Sequence, residues 1–393
     1  MSRSVLGLIA SRALILGPVL AFIFFFFLMP IWTVLVQSVS DPVISRALPD
    51  TIEVLRDWDG NSPPSPQMQA ALVKDLRALT DAQQLGDVVR RLNSAQAGYR
   101  TLLSRTTAAV SRAGDATVNL TEVDPRWQQP VYWQAIIAAA PPITDQFLLA
   151  AVDYARDAAG SLQRLPATVS ANQDVFIRTF TVAATVTLVC LVIGYPYAML
   201  LAASRGWIRV ALLACVLLPL WTSLLVRTAS WYVLLQDQGL INSALRWLGV
   251  IDDGLRLLFT RSGVVIAMSH VLLPLMVLPI YAVLITIPPN LLPAAASLGA
   301  RPVSAFLRIT LPLSAAGVAS GGLLVFMSAI GYYITPALIG GPTDQMISSL
   351  IAFYATGSAN WSMAAAFGVL LLVPTLILYF FYSRLTREQA QRG

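Results

Sequence analysis

The sequence predicts an all-α membrane protein of six spans with a helical insertion on the outer side of the membrane. Three observations predict it. Of 393 residues, 56% are hydrophobic and only 12% charged, about half the charged share of an ordinary soluble domain. Six apolar stretches, near 13–39, 176–203, 210–234, 262–287, 314–338 and 362–383, are each long enough to cross a hydrocarbon core that takes about 20 residues. Between the first two lies 40–175, which carries 15 acidic and 12 basic residues, whereas the rest of the chain carries 5 and 14.

The first span follows Arg3 and Arg12. Its apolar run exceeds the roughly 7–15 residues of a secretory signal and ends without a small-x-small cleavage site, so 1–39 reads as an N-terminus plus a retained anchor. The insertion 40–175 starts with turn residues, Asp59-Gly-Asn-Ser-Pro-Pro-Ser-Pro66. From Gln67 to Arg112 apolar residues then recur at helical spacing, with Leu72, Leu76, Leu79, Leu85, Val88, Val89, Leu92, Tyr99, Leu102 and Leu103 on the inner face. Asp81 and Gly86 mark a break. A second helical pattern runs from Thr144 to Arg164, with Phe147, Leu148, Ala151, Val152 and Ala155 on one side. The remaining five spans form a core at 176–385, with a loop at 288–313 and a tail at 386–393.

Arginine placement orients the chain. Arg3, Arg12, Arg205, Arg209, Arg301, Arg308, Arg384, Arg387 and Arg392 all fall on one side if the N-terminus is inside. The opposite short loops hold Asp237, Asp252, Asp253 and Asp344, with Arg246, Arg256 and Arg261 as exceptions. Both termini are therefore expected in the cytoplasm and 40–175 outside it.

Several chemistries find no footing. The chain lacks a Gly-x-x-x-x-Gly-Lys-Ser/Thr phosphate loop and a Gly-x-Ser-x-Gly elbow, so it is expected to be non-catalytic, with no catalytic residues. It has one histidine, His270, and two cysteines, Cys190 and Cys215, both inside apolar runs. These read as packing residues, not as metal ligands or a disulfide, and no metal or cofactor is expected in this chain. No Asp or Glu lies within any of the six stretches, which counts against a proton-coupled carrier. Basic and aromatic residues do not interleave as a nucleic-acid surface requires, so no nucleic acid is expected as partner.

One segment between spans four and five carries more information than any other, Pro293-Ala-Ala-Ala-Ser-Leu-Gly-Ala-Arg-Pro-Val-Ser-Ala-Phe-Leu-Arg-Ile-Thr-Leu-Pro312. Ala294, Ala295 and Leu298 share a helical face, and Gly299 offers close backbone approach. This stretch resembles the coupling loop of ABC import permeases, where a short helix docks into a groove on a separate ATPase. Further pieces agree, namely Gly194-Tyr-Pro-Tyr-Ala198, Pro219-Leu-Trp-Thr-Ser-Leu-Leu-Val-Arg-Thr-Ala-Ser-Trp231, Gly239-Leu-Ile-Asn242, Leu273-Pro274, Leu278-Pro279 and Thr335-Pro-Ala-Leu-Ile-Gly-Gly341. Together they are similar to the spermidine/putrescine-type permease subunits of binding-protein-dependent importers, over the membrane part only.

The resemblance implies a type I ABC importer permease fold in a bacterial cytoplasmic (inner) membrane. It implies ATP-driven import of a small solute, a polyamine such as spermidine or putrescine or a related organic nitrogen compound, delivered by a solute-binding protein. The implied partners are ABC ATPase subunits, which hold ATP and Mg, a second and different permease subunit, and the solute-binding protein. An ion-coupled secondary transporter, or a membrane sensor using 40–175, is the alternative. The implied coupling residues are Pro293, Ala294, Ala295, Leu298, Gly299, Arg301, Phe306, Leu311 and Pro312.

The chain departs from the family in two places. Proline stands at 293 where the family has glutamate, and Asn290 is positioned to cap that first turn. The long 40–175 insertion is the second departure. Pathway or gate candidates are Arg227, Trp221, Trp231, Tyr232, Tyr332 and Tyr333. Arg227 projects about 25 Å along an unbroken helix from Val210, near the outer interface, where it would snorkel, act as a gate or contact the binding protein. The aromatics read as interface anchors or as cation–π surfaces, and His270 as a hydrogen-bonded packing residue or a ligand. Gly317 and Gly321, four apart, read as a contact inside the bundle.

Overall fold

A computed structural model describes residues 16–156, 160–166 and 170–390. Arg3, Arg12 and Arg392, on which part of the orientation reading rests, lie outside the described residues. The chain divides into two units, Met1–Phe147 and Leu148–Gly393.

The first unit begins with α1, Leu16–Gln37, apolar enough to span a membrane. Its middle holds a π turn at Phe24–Leu28, just before Pro30. The Met29 N–H reaches back to the Phe24 carbonyl, and this wider turn makes room for a ring that cannot donate to the preceding one. Seven helices follow: α2 Val43–Ala47, α3 Pro49–Leu55, α4 Pro66–Ala78, α5 Ala82–Ala95, α6 Tyr99–Ala113, α7 Leu120–Val123 and α8 Pro130–Ala139.

The helical stretch expected from Gln67 to Arg112 is therefore three helices. Asp81 does mark the first break, because its carboxylate accepts the Gln83 N–H at 2.8 Å and starts α5. Gly86 does not break anything and lies inside α5. The second break falls at Gly98, whose φ of 98° is left-handed. Leu72, Leu76, Val88, Leu92, Tyr99, Leu102 and Leu103 are buried as the periodicity requires, while Leu79, Leu85 and Val89 pack at the margin.

Trp127 and Trp133 fill the centre of this core. The Trp127 Nε1–H donates to the Thr106 hydroxyl at 2.9 Å, and the Trp133 Nε1–H to the Trp127 carbonyl at 2.9 Å. Buried indoles need such partners. Asp75 caps α3 from another helix, accepting from the Thr51 N–H at 2.8 Å and the Thr51 hydroxyl at 2.6 Å.

Asp124 is buried beside Arg126, which donates through Nε at 3.0 Å and Nη2 at 2.8 Å, and beside Arg105 at 3.2 Å. The Arg126 bonds hold its carboxyl far below the usual carboxylate range. The folded state thus keeps this charge to lower pH than the unfolded chain does. Its contribution is complete above about pH 4 and is lost as pH falls below that. In the full-length protein in detergent, the melting transition reported by tryptophan fluorescence should therefore fall progressively as the pH drops below about 4. Asp124→Asn should flatten part of that dependence and lower the neutral-pH transition by about 5 °C or more, because two guanidinium groups lose their counter-charge.

The second unit opens with the end of α9, Gln146–Ala151, and then departs from expectation. The helical pattern of 144–164 stops at Ala151. Asp153 turns left-handed with φ 64°, and β1 Tyr154–Arg156 pairs antiparallel with β2 Leu162–Arg164. The Asp153 carboxylate accepts from the Ser170 hydroxyl and from the N–H groups of Asn172 and Gln173, both at 2.9 Å. It caps the next helix from a distance, and that fixes the turn which ends α9.

The membrane helices are α10 Asn172–Ala203, α11 Gly206–Trp221, α12 Leu224–Leu234, α14 Arg261–Leu284, α16 Pro302–Gly331 and α19 Trp361–Ala390. Shorter helices lie between them: α13 Leu240–Trp247, α15 Leu291–Ser297, α17 Ile334–Ile339 and α18 Ile347–Gly357. Among the described residues five single helices are long and apolar enough to cross a membrane, and six if the pair α11 and α12 counts as one.

That pair corrects the expected third span. α11 and α12 meet at 102°, not as one rod over 210–234. Pro219 weakens the end of α11, Thr222 is extended, and the Ser223 hydroxyl accepts the Val226 N–H to start a new helix. The fifth span likewise shifts: its helix runs 302–331, and 334–339 forms the separate α17.

α10, α14 and α16 pack on one another around Val186, Cys190, Ala198, Met268, Met276, Ile280, Val325 and Ala329. Gly317 and Gly321 face α14 inside this bundle. The Cys190 thiol donates to the Ser269 carbonyl at 3.3 Å. Cys215 is exposed on α11, so only the first cysteine has the packing role expected of both.

Candidate functional site

The segment 288–312 is a helix, a tight turn and a second helix. α15 starts after Pro288 and Pro289 and carries Pro293 in its first turn, where its missing N–H would have no partner anyway. Asn290 occupies the N-cap position but its side chain makes no capping bond. The expected cap is absent because Asn290 has φ and ψ of −81° and −14°, close to helical, whereas side-chain caps need an extended backbone.

The end of α15 is closed by backbone alone. Leu298 is the last half-helical residue, the Gly299 N–H bonds the Ala296 carbonyl at 2.9 Å, and the Ala300 N–H bonds the Ala295 carbonyl at 3.0 Å. This is a Schellman motif, which needs a left-handed residue, and Gly299 supplies φ 84°. A Cβ there would meet nothing within 4 Å. Within this chain Gly299 is required by its dihedral angles, not by a close neighbour.

No residue of α15 is buried, and Leu298 is 89% exposed. Ala294 is also exposed and Ala295 only partly covered. Arg301, extended, leads into Pro302 at the first position of α16. A π turn at Phe306–Thr310 follows, and the Leu311 N–H reaches the Phe306 carbonyl just ahead of Pro312. As in α1, the wide turn accommodates the proline ring.

Phe306 is the one coupling candidate that reaches inward. Its ring meets Tyr195 of α10 edge-on at 5.8 Å, and the Tyr195 hydroxyl bonds Ser314 of α16 at 2.7 Å. Leu311 and Pro312 remain exposed.

Of the pathway candidates, Arg227, Trp231 and Tyr332 come together. Trp231 lies one turn beyond Arg227 on α12 and donates its Nε1–H to His270 Nδ1 on α14 at 3.1 Å. His270 and Tyr332 are both neighbours of Arg227. Because α12 turns away at 102°, Arg227 does not sit at the end of one long unbroken rod. It lies beside His270, well inside α14, and its Nε is buried without a hydrogen-bond partner. The other three candidates go elsewhere. Trp221 ends α11 and is 85% exposed, Tyr232 packs edge-on against Phe259 at 6.1 Å, and Tyr333 is exposed ahead of α17.

Other residues shape the site without having been named as site candidates. Tyr195 and Ser314 connect Phe306 to two core helices. Thr228 and Thr335 bond hydroxyl to hydroxyl at 3.2 Å and join α12 to α17. Asn242 is fully buried, donates to the carbonyls of Gln236 and Leu255, and accepts the Leu255 N–H at 2.9 Å. The Gly-Leu-Ile-Asn motif is thus a clamp on its own loop. Its glycine was the available signal, since a Cβ at Gly239 would meet the Leu234 carbonyl at 2.5 Å.

A family model described as "Binding-protein-dependent transport system inner membrane component" matches residues 194–391. The spermidine/putrescine transport system permease protein PotB of Escherichia coli (strain K12) is 35% identical over 221 residues, covering 56% of this chain and 80% of PotB. The inner membrane ABC transporter permease protein YdcU of the same strain is 31% identical over 229 residues, covering 55% of this chain and 72% of YdcU. A chain in the crystal structure of a bacterial ABC transporter that imports the acidic polysaccharide alginate aligns at TM-score 0.41 and 22% identity, covering 55% of this chain and 79% of that one. By the family match and the identity to PotB, this chain belongs to the binding-protein-dependent transport system inner membrane components, as an ABC-importer permease subunit of the inner membrane.

Proposed function

We propose that this subunit forms part of the pathway by which an ATP-driven importer takes up a polyamine such as spermidine or putrescine. The observation that carries the substrate class is the 35% identity to PotB across 80% of that protein's length. In this reading a solute-binding protein delivers the polyamine, a second permease completes the pathway, and separate ATPase subunits hold ATP and Mg. Both termini face the cytoplasm, with Arg205, Arg209, Arg301 and Arg308 on that side and 40–175 outside.

The coupling segment supports the same reading. α15 presents Ala294 and Leu298 to the surroundings, and an apolar side chain as exposed as Leu298 beyond the spans suits a partner's groove. Gly299 and Arg301 set the angle between that docking helix and α16. Phe306, through Tyr195 and Ser314, would carry a displacement of the segment into the core.

The complete importer, expressed in a host deleted for its own polyamine uptake, should accumulate radiolabelled spermidine or putrescine in an ATP-dependent manner. A fully assembled complex that moves neither compound would remove the polyamine assignment and leave the family assignment intact.

A further inference from the structure

We propose that Arg227 is one half of an ion pair inside the membrane whose carboxylate comes from an Asp or Glu of the second permease subunit. The inference rests on the reading that this subunit works beside a second permease. The groups that the structure places around Arg227 are hydrogen-bond donors or neutral. His270 accepts from Trp231 at Nδ1, so the neutral ring carries its proton on Nε2 and offers a second donor. Tyr332 brings a hydroxyl. Among the described residues no carboxylate is paired with the guanidinium, whose Nε is buried and unbonded.

Among the described residues the chain's own spans supply no carboxylate at that depth. Among the described residues the membrane helices carry acids only at their ends, Asp174 in the first turn of α10 and Glu388 in the last turn of α19. Lipid phosphates do not reach the site easily either. His270 lies about 13 Å along α14 from its Arg261 end and about 21 Å from its Leu284 end, well inside the hydrocarbon. A charged side chain at that depth is expected to meet an opposite charge.

His270 is exposed on the isolated subunit, so this part of α14 is open to a neighbour. The proposed solute is a polycation, which a guanidinium repels, and so the solute is the poorer source of an acceptor. A second copy of this chain would bring another Arg227 and no acid deep within its described spans. The missing carboxylate therefore calls for a different permease chain, one with an acidic residue in its own membrane region.

The test compares Arg227→Gln and Arg227→Lys, each alone and in the assembled importer. Recovery of the second permease with a tagged subunit and ATP-driven spermidine uptake are measured together. In the complex, Arg227→Gln should cut recovery and uptake by about tenfold or more, as loss of one partner of a buried pair does, and Arg227→Lys should retain most of both. In the isolated subunit, Arg227→Gln should leave the melting transition unchanged or raised, because the charge is unpaired there. Arg227→Glu should regain assembly when a membrane Asp or Glu of the second permease is changed to Arg. Unchanged recovery and uptake in Arg227→Gln would overturn the proposal. So would normal recovery with a raised KM, which would place the acceptor on the solute. If the unaltered subunit brings down no second permease, the reading of a paired importer fails instead.

Discussion

Gly299→Glu should abolish ATP-driven uptake while the protein still inserts in the membrane at its normal level. Two effects combine. Residue 299 must hold φ 84° to close α15, and that conformation costs a non-glycine residue roughly 1–2 kcal/mol. The glutamate side chain would also project from the exposed end of α15, since nothing in this chain lies within 4 Å of the new Cβ. Gly299→Asn separates the two. Asparagine tolerates the left-handed region but still adds bulk, so it should keep part of the activity if backbone strain dominates. Uptake and the recovery of ATPase with the tagged subunit are the measurements. Normal uptake by Gly299→Glu at normal expression would show that this segment is not the coupling element.

Gly321→Val should disrupt the fold itself. A Cβ at Gly321 would lie 2.9 Å from the Met276 carbonyl and 3.2 Å from the Met276 Cα, both backbone atoms that cannot rotate away. The same holds at Gly317, 2.9 Å from the Pro279 carbonyl and 3.0 Å from the Ile280 Cα. Valine at either position has to push α14 from α16, opening a core that includes Met276 and Ile280. Overpacking costs typically about 1–3 kcal/mol per site, more here because backbone must move, so the double variant should not be recovered as a monodisperse protein. Gly322→Ala is the control, because its Cβ would meet only the Thr187 methyl at 3.9 Å. Size-exclusion profiles in mild detergent decide the matter, and normal profiles for both glycine variants would refute the close contact.

These two glycines illustrate what could be read from the residues alone. Spacing of four on an apolar helix predicted a helix contact, and the contact is there. Gly299 was legible as necessary but for a different reason, because sequence does not reveal whether a glycine serves its own dihedral angles or a neighbour's approach. The spans were legible because twenty or so apolar residues leave few alternatives. The 102° break was not, since Pro219 and Ser223 inside an apolar run are also compatible with a gentle kink. The hairpin after Ala151 was hidden for a physical reason as well. Its cause is the Asp153 carboxylate bonding to residues 17 to 20 positions away, which no local pattern encodes. The cluster of Arg227, Trp231, His270 and Tyr332 draws on three segments, so only the pair on α12 was visible as a helical repeat.

The continuity of α16 has a mechanical consequence. From Pro302 beside the turn at Gly299 to Gly331 it is a single 30-residue helix, about 45 Å long at ~1.5 Å per residue. It is gripped just past its middle, where Gly317 and Gly321 rest on the backbone of α14. A rod held at such a fulcrum converts a small sideways push at one end into an opposite swing at the other. The swinging end carries Tyr332, a neighbour of Arg227.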